Sequence, residues 1–307
     1  MNYTLNQLKI FLKISELKSI TKAAEALYLT QPAVSIQLKN FQDQFEIPLT
    51  EVIGRQLYVT SFGEEIAEAA KRILDEIEVM KDKGLAFKGK LTGRLNLAVV
   101  STGKYVIPFF LGSFLKINPG VDLLMDVTNR YKVLESLEKN EIDLALVSVL
   151  PENLQIEKIK LMPNRLFLVA RKDLVENLAK GEKCDLENVS WIFREEGSAT
   201  RQAMERFIAE NKISTVKKIQ LTSNEAVKQA VLAGLGFSIM PLIGLKNELK
   251  NNEVSIIDFK GLPLQTEWNL IWLKGKKFSP AASAYIQFLE NNREEVIENN
   301  FEWLKNY

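Results

Sequence analysis

The chain has 307 residues, with 40 Lys and Arg against 39 Asp and Glu, so bulk charge at +1 selects no partner. Hydrophobic residues at 46% and charged residues at 26% are globular composition, and the length suits about two domains. With 0 histidines and 1 cysteine, Cys184, the sequence excludes a Ser-His-Asp or Cys-His triad, a His-bound metal site and an internal disulfide.

Residues 1–60 read as a helical head. Thr4 and Gln7 have capping-box spacing, and Leu5, Leu8, Phe11 and Leu12 follow on one face. Ser19 or Thr21 caps a second helix carrying Ala23, Ala24 and Leu27. Thr30 caps a third, with Pro32 in its first turn and Val34, Leu38 and Phe41 facing inward. Only Tyr28-Leu29-Thr30 separates the second helix from the third. Residues 55–60 alternate weakly, as one strand of a small wing. Such a head has two readings. One is a helical interaction module. The other is a DNA reader whose third helix offers Gln31, Ser35, Gln37 and Lys39 to bases or phosphates, with Arg55 on the backbone. The balanced local charge does not choose between them.

A long helix is predicted over 61–88. Ile66, Ala70, Ile73, Ile77 and Met80 step by four, three, four and three residues, an a/d seam suited to pairing with a second copy. Glycines and lysines over 84–93 mark a basic connector, with the hinge at 89–93. Beyond it, strands over 95–100, 122–127, 142–147 and 165–170 alternate with helical patterns, which predicts parallel sheets. Two lobes are expected, one from 94–162 plus 268–300 and one from 163–267. The run over 291–307 reads as a helix with a frayed end.

In open parallel sheets, ligands sit beyond the carboxyl ends of strands, where helix N-termini offer free N–H groups. Ser101-Thr102-Gly103, Thr128-Asn129-Arg130, Ser148, and Gly197-Ser198-Ala199-Thr200-Arg201 fall at such turns. Helix capping explains each residue singly, but together they suit a small carboxylate or phosphate. Arg201 reads as one half of a surface ion pair. Trp191, Trp268 and Trp272 read as core, and Cys184 as an inert thiol. The Gly84-to-Lys90 run lacks the Ser or Thr of a P-loop, having Leu91 there, and Gly234-Leu235-Gly236 lacks a third glycine. An enzyme would have to use groups such as Glu196 and Lys104, which form no legible base–nucleophile pair.

The run Ala23-Ala24-x-x-Leu27, then Leu29-Thr30-Gln31-Pro32-Ala33-Val34-Ser35-x-Gln37-Leu38-Lys39, resembles the winged helix-turn-helix of LysR-type transcriptional regulators. Leu5, Leu8, Phe11, Ser19 and the segment Gly54-Arg55-x-Leu57-x-Val59-Thr60 fit the same family, and the resemblance extends over essentially the whole chain. It implies an α/β protein with an N-terminal winged helix-turn-helix, a dimerising linker helix and a two-lobed, periplasmic-binding-protein-like effector domain. It implies DNA contacts by Thr30, Gln31, Pro32, Ala33, Ser35, Gln37, Lys39 and Arg55. It implies an effector cleft carrying Ser101, Thr102, Gly103, Thr128, Asn129, Ser148, Gly197, Ser198 and Thr200.

The partners implied are double-stranded promoter or operator DNA, a small anionic metabolite, a second copy in a dimer or dimer of dimers, and RNA polymerase. No cofactor, catalytic role or membrane partner is expected, and the single thiol with no legible leader suits the cytoplasm. The family pattern before the wing is Leu-Phe-x-Arg-x-x-Arg, whereas this chain has Leu49-Thr50-Glu51-Val52-Ile53-Gly54-Arg55. Thr50 replaces the aromatic anchor and Val52 the first arginine, so one backbone contact is lost and packing under the wing changes. The wording of 51–55 is similar to the branch that controls carbon-fixation operons. The rivals are a cytoplasmic solute-binding protein and an enzyme built on the same lobes.

Overall fold

Helix α1 (Leu5–Leu17) starts at a reciprocal capping box: Thr4 Oγ1 accepts from the Gln7 N–H, and Gln7 Oε1 accepts from the Thr4 N–H. Ser19 caps α2 (Ile20–Ala26), and α3 (Gln31–Gln42) follows with Pro32 in its first turn. Thr30 stands at the cap position of α3, but its side chain makes no capping bond, contrary to expectation. Pro32 has no N–H to offer it there. Leu8, Phe11, Ile14, Ala23, Val34, Leu38 and Phe41 close the core of this bundle.

The wing is a two-stranded hairpin, β1 (Thr50–Ile53) with β2 (Gln56–Val59), where the sequence shows one strand. Helix α4 (Ser61–Ala86) follows. Ala70 of its predicted seam is buried in the head's own core, whereas Ile73 and Met80 are exposed. The seam is therefore divided between packing at home and a face open to a second copy.

In this computed structural model, residues 2–54, 56–86, 91–179, 189–213, 215 and 217–307 are described. The chain divides into two units, Met1–Lys90 and Leu91–Tyr307. Arg55, Cys184 and positions 87–90 of the predicted connector lie outside the described residues. Thr92 and Gly93 belong to a strand and not to a hinge.

The second unit runs β3 (Thr92–Val100), α5 (Ile107–Ile117), β4 (Gly120–Thr128), α6 (Arg130–Glu138), β5 (Leu144–Val147), β6 (Ile156–Arg171), α7 (Lys172–Ala179), β7 (Ser190–Arg194) and α8 (Ala199–Glu210). It continues through β8 (Lys217–Leu221), α9 (Asn224–Leu232), β9 (Ser238–Pro241), α10 (Lys246–Lys250), β10 (Val254–Ile257), β11 (Leu264–Leu273) and α11 (Pro280–Phe301). The large sheet has the order β10-β6-β11-β5-β3-β4, with β9 also on β6, and β7 and β8 form a separate parallel pair.

Parallel pairing holds for β3 with β4 and β5, but β6 pairs antiparallel with β9, β10 and β11. The expectation of parallel sheets holds for β3, β4 and β5 and for β7 with β8, and is corrected for β6 and β11. The apolar second half of β6 carries the strand signal, whereas its first half mixes Glu157, Lys158 and Lys160 among apolar residues.

β6 runs through three apolar cores: Leu161 and Met162, with Trp268 and Leu270 of β11, belong to the first, Leu166 and Leu168 to the second, and Phe167 and Val169 to the third. Trp191, Trp268 and Trp272 are buried. Gly236 lets backbone meet backbone: a Cβ there would lie 2.2 Å from the Ser190 carbonyl oxygen, which accepts from the Phe237 N–H. The C-terminus is not frayed. After α11, one turn over Glu302–Asn306 packs Trp303 and Leu304 against the third core, and Phe301 meets Phe109 and Phe110 of the first. Among the described residues, no helix is long and apolar enough to cross a membrane.

Candidate functional site

In the head, the turn between α2 and α3 is made tight by Tyr28 in the left-handed region at φ 56°, with the Leu29 N–H donating to the Ala24 carbonyl. This leaves Gln31, Pro32, Ala33 and Lys39 exposed on α3, with Ser35 and Gln37 half-buried and Thr30 exposed just before it. Val34, Leu38 and Phe41 take the opposite face into the core. Sequence reasoning missed Ile36, 58% exposed, and Asn40, which share the outermost stripe with Pro32 and Lys39 at helical spacing. Their signal was that same spacing. An amide such as Asn40 suits adenine, and an apolar tip such as Ile36 suits a thymine methyl. Under the wing, the Thr50 N–H and hydroxyl both donate to Gln42 Oε1, at 3.0 and 2.9 Å. A polar tie thus stands where the family pattern has an aromatic anchor.

The second unit builds its site at the carboxyl ends of parallel strands. Val100 and Thr128 are register partners at the ends of β3 and β4, and β5 ends beside them at Val147. The turns that follow bring together Ser101, Thr102, Asn129 and Ser148 with Ser198 and Thr200 from the start of α8, around one crevice of about 10 Å³. Arg130, Arg194 and Ala199 also line it. Of the other predicted residues, Thr128 flanks the crevice at a strand end. Gly103 packs into the core, where a Cβ would lie 2.7 Å from Val99 and Leu146 side-chain atoms. Gly197, at φ +80°, turns the chain into α8.

Capping and lining coexist here. Asn129 Oδ1 accepts from the Lys132 N–H at 3.0 Å and Ser198 Oγ from the Arg201 N–H at 3.5 Å, so α6 and α8 both begin at the crevice. Arg201 is engaged elsewhere, with Glu205 at 2.7 Å, Glu196 at 3.9 Å and Gln220 at 2.8 Å.

Of the two lining arginines, Arg130 falls in a turn named from the sequence but was given no role there, and Arg194 was not named. Arg130 is held by the carbonyls of Val149 and Leu150, at 3.3 and 3.1 Å. Burial draws its guanidinium below the ordinary value against the pull of Glu152, and it remains cationic at neutral pH. Arg194, 4% exposed, donates through Nε and Nη2 to both oxygens of Glu195 at 2.8 Å. That fork leaves Nη1 without a hydrogen bond among the described residues. A buried arginine at a strand end cannot be told from a surface one by local pattern.

A helix-turn-helix face and an anion-suited crevice at parallel strand ends define the class of ligand-responsive DNA-binding regulators. Residues 5–64 match the family model for bacterial regulatory helix-turn-helix proteins of the lysR family, and residues 88–293 match the LysR substrate binding domain. The chain belongs to the LysR family of transcriptional regulators.

It is 38% identical over 298 residues to the HTH-type transcriptional activator CmpR of Synechocystis sp., covering 96% of this chain and 97% of that protein. It is 36% identical over 293 residues to the RuBisCO operon transcriptional regulator of Allochromatium vinosum, covering 94% and 96%. The Synechocystis PCC6803 CcmR regulatory domain in complex with 2-PG matches with a TM-score of 0.60 at 31% identity, over 69% of this chain and 99% of that one. Full-length CbnR with its target DNA matches in fold, with a TM-score of 0.69 at 21% identity over 94% and 99%.

Proposed function

We propose that this protein is a cytoplasmic regulator of carbon-fixation genes, binding promoter DNA through α3 and the wing and responding to a small dianionic acid in the crevice. The observation that carries the effector class is the crevice itself. Five hydroxyls, from Ser101, Thr102, Ser148, Ser198 and Thr200, converge with Arg130 and Arg194 at the starts of two helices. Glu195 offsets Arg194, so Arg130 and two helix N-termini of about half a charge each sum to roughly +2, which matches a dianion. Hydroxyls and backbone N–H groups then supply directional hydrogen bonds, as in other phosphate and carboxylate sites.

The target class follows the name of the Allochromatium vinosum relative, and the 2-PG bound to the CcmR regulatory domain agrees with an anionic effector. The crevice holds hydroxyls and guanidinium groups with no imidazole anywhere in the chain, which supports a binding role over catalysis. Glu196 and Lys104 lie outside its lining.

Effector binding acts as a population shift: the ligand favours one arrangement of the oligomer, and with it one spacing of paired heads on inverted half-sites about one helical turn apart, or a multiple of it. RNA polymerase is the partner that reads the outcome.

The test is to sequence the genomic fragments retained by the purified chain and to repeat footprinting with a dianionic acid. Retention of carbon-fixation promoters with a ligand-altered footprint is expected. Retention of unrelated promoters overturns the target class, and a footprint indifferent to every small dianion overturns the effector class.

A further inference from the structure

The two strands that join the lobes pair only with each other where they cross. β6 meets β9 from Leu166 and β10 from Leu168, while β11 meets β5 from Asn269 onward. Over 163–165 the described ladder is therefore β6 with β11 alone, Pro163 opposite Glu267 and Arg165 opposite Gln265. Met162, just before this span, belongs to the first core, and Leu166 and Phe167, just after it, to the second and third. A two-stranded ribbon twists more readily than a wider sheet, so this span is where one lobe turns against the other.

The turn over Glu302–Asn306 is fastened to that crossing. Arg165 donates to the carbonyls of Leu304 and Tyr307. Phe301, at the end of α11, is buried in the first core, Trp303 packs on the third, and Leu304 packs on both. Lys246, exposed on α10 in the other lobe, stands 5.3 Å from the Trp303 ring centroid, a cation over an aromatic face. Trp303 and Leu304 are only half-buried, so the turn can leave one core without unmaking α11. Much of an apolar contact is lost within about 1 Å of separation. Leu304 therefore holds both cores or gives one up, and does not follow a partial rotation.

We propose that this turn is a strap across the crossing strands: it latches the two lobes at one angle and lets go as a unit when they rotate. The strap acts on the lobes with or without a ligand, independently of what the crevice binds. For a regulator its consequence is a set point, because the strap fixes the fraction of chains in each arrangement of the lobes, and any ligand that prefers one arrangement works against that fraction.

The distance between the lobes can be read by pulsed electron resonance on the full chain. Spin labels go on Glu138→Cys of α6 and Glu210→Cys of α8, both exposed, in a Cys184→Ser background diluted with unlabelled chain. The unaltered chain should give one dominant distance. Arg165→Gln and Trp303→Ala should each raise the share of a second distance about fivefold, the factor for one lost hydrogen bond or cation–aromatic contact. Lys246→Ala, at an exposed side chain, tests the same aromatic contact if Trp303→Ala folds poorly. Val296→Ala thins the first core from the same helix without touching the other two, and should lower stability while leaving the distance unchanged. Two distances of similar weight in the unaltered chain overturn the strap. So does an unaltered profile in Arg165→Gln or in the Trp303 and Lys246 variants, or an equal change in Val296→Ala.

Discussion

The Tyr105 hydroxyl donates to Glu225 Oε2 at 2.9 Å, joining the turn after β3 to the first turn of α9. Thr102, at the start of that same turn, lines the crevice. Lys228, buried on α9, bonds Glu225 at 3.2 Å and Glu248 at 2.8 Å, and its Nζ stands 5.9 Å from the Tyr105 ring centroid. A polar network therefore bridges the first and third apolar cores within a few residues of the ligand site. At about 10 Å³ the crevice has room for roughly one water-sized group, and this network ties together the two sides that a larger anion would have to part.

Tyr105→Phe should lower stability by about 1 kcal/mol in urea unfolding and speed effector association in stopped flow. The stability difference should depend on pH. Burial works to raise the Glu225 carboxyl, but hydrogen bonds from Gln229, Tyr105 and Lys228 outweigh it and hold the group below its ordinary 4.5. A depressed pKa contributes stability that is complete above 4.5 and lost as pH falls through the lower, folded value. The difference between the unaltered chain and the variant should shrink across that acid window. A difference that stays constant there means Tyr105 acts by packing alone.

Gln31→Ala or Ser35→Ala should weaken specific operator binding by about 1–3 kcal/mol and relax base choice, measured by competition between cognate and altered duplexes. Unchanged discrimination in both variants would show that α3 meets the duplex by another stripe, such as that of Ile36 and Asn40.

Val52 is 70% exposed on β1, where the family pattern carries an arginine. Val52→Arg should raise DNA affinity and steepen the dependence of log K on log salt by about 0.9, the increment for one added phosphate contact. A slope identical to that of the unaltered chain would mean that the wing stays clear of the backbone.

The C-terminal turn closes over β6, the strand that all three cores share. Arg165, on β6 where it passes between the cores, donates to the carbonyls of Leu304 and Tyr307, and Lys246 Nζ lies 5.3 Å from the Trp303 ring centroid. Leu304 packs against the first and third cores. Trp303→Ala should cost about 2 kcal/mol in thermal unfolding and raise amide exchange in β6 near Arg165. Wild-type exchange in that strand would show that the turn merely covers the surface.

Local pattern carried the head almost entirely. Thr4 with Gln7, Ser19, and the Val34-Leu38-Phe41 stripe mark helices whose capping and periodicity need no distant partner. The turn residues of the crevice were legible for a related reason, since β3, β4 and β5 each end in a run that stops at a hydroxyl or an asparagine. Less was visible wherever charge interrupts a strand or a partner lies far away in sequence. The first half of β6 and the packed turn after Phe301 are the examples, and each depends on contacts with strands or helices more than a hundred residues off.

The order of residues along the chain was enough to specify the winged head, the long helix and the alternation that makes an α/β effector domain, because those signals repeat within one or two turns or strand pairs. Which guanidinium faces the ligand was settled by folding: Arg130 and Arg194 line the crevice while Arg201, in the more conspicuous motif, is drawn off by Glu205 and Gln220. The same holds for Asn269, 3% exposed, whose Nδ2 donates to the Glu267 carbonyl while its Oδ1 has no hydrogen bond among the described residues. Burial and pairing are properties of packed neighbours, and no spacing of residue types encodes which polar atom will be left unmatched.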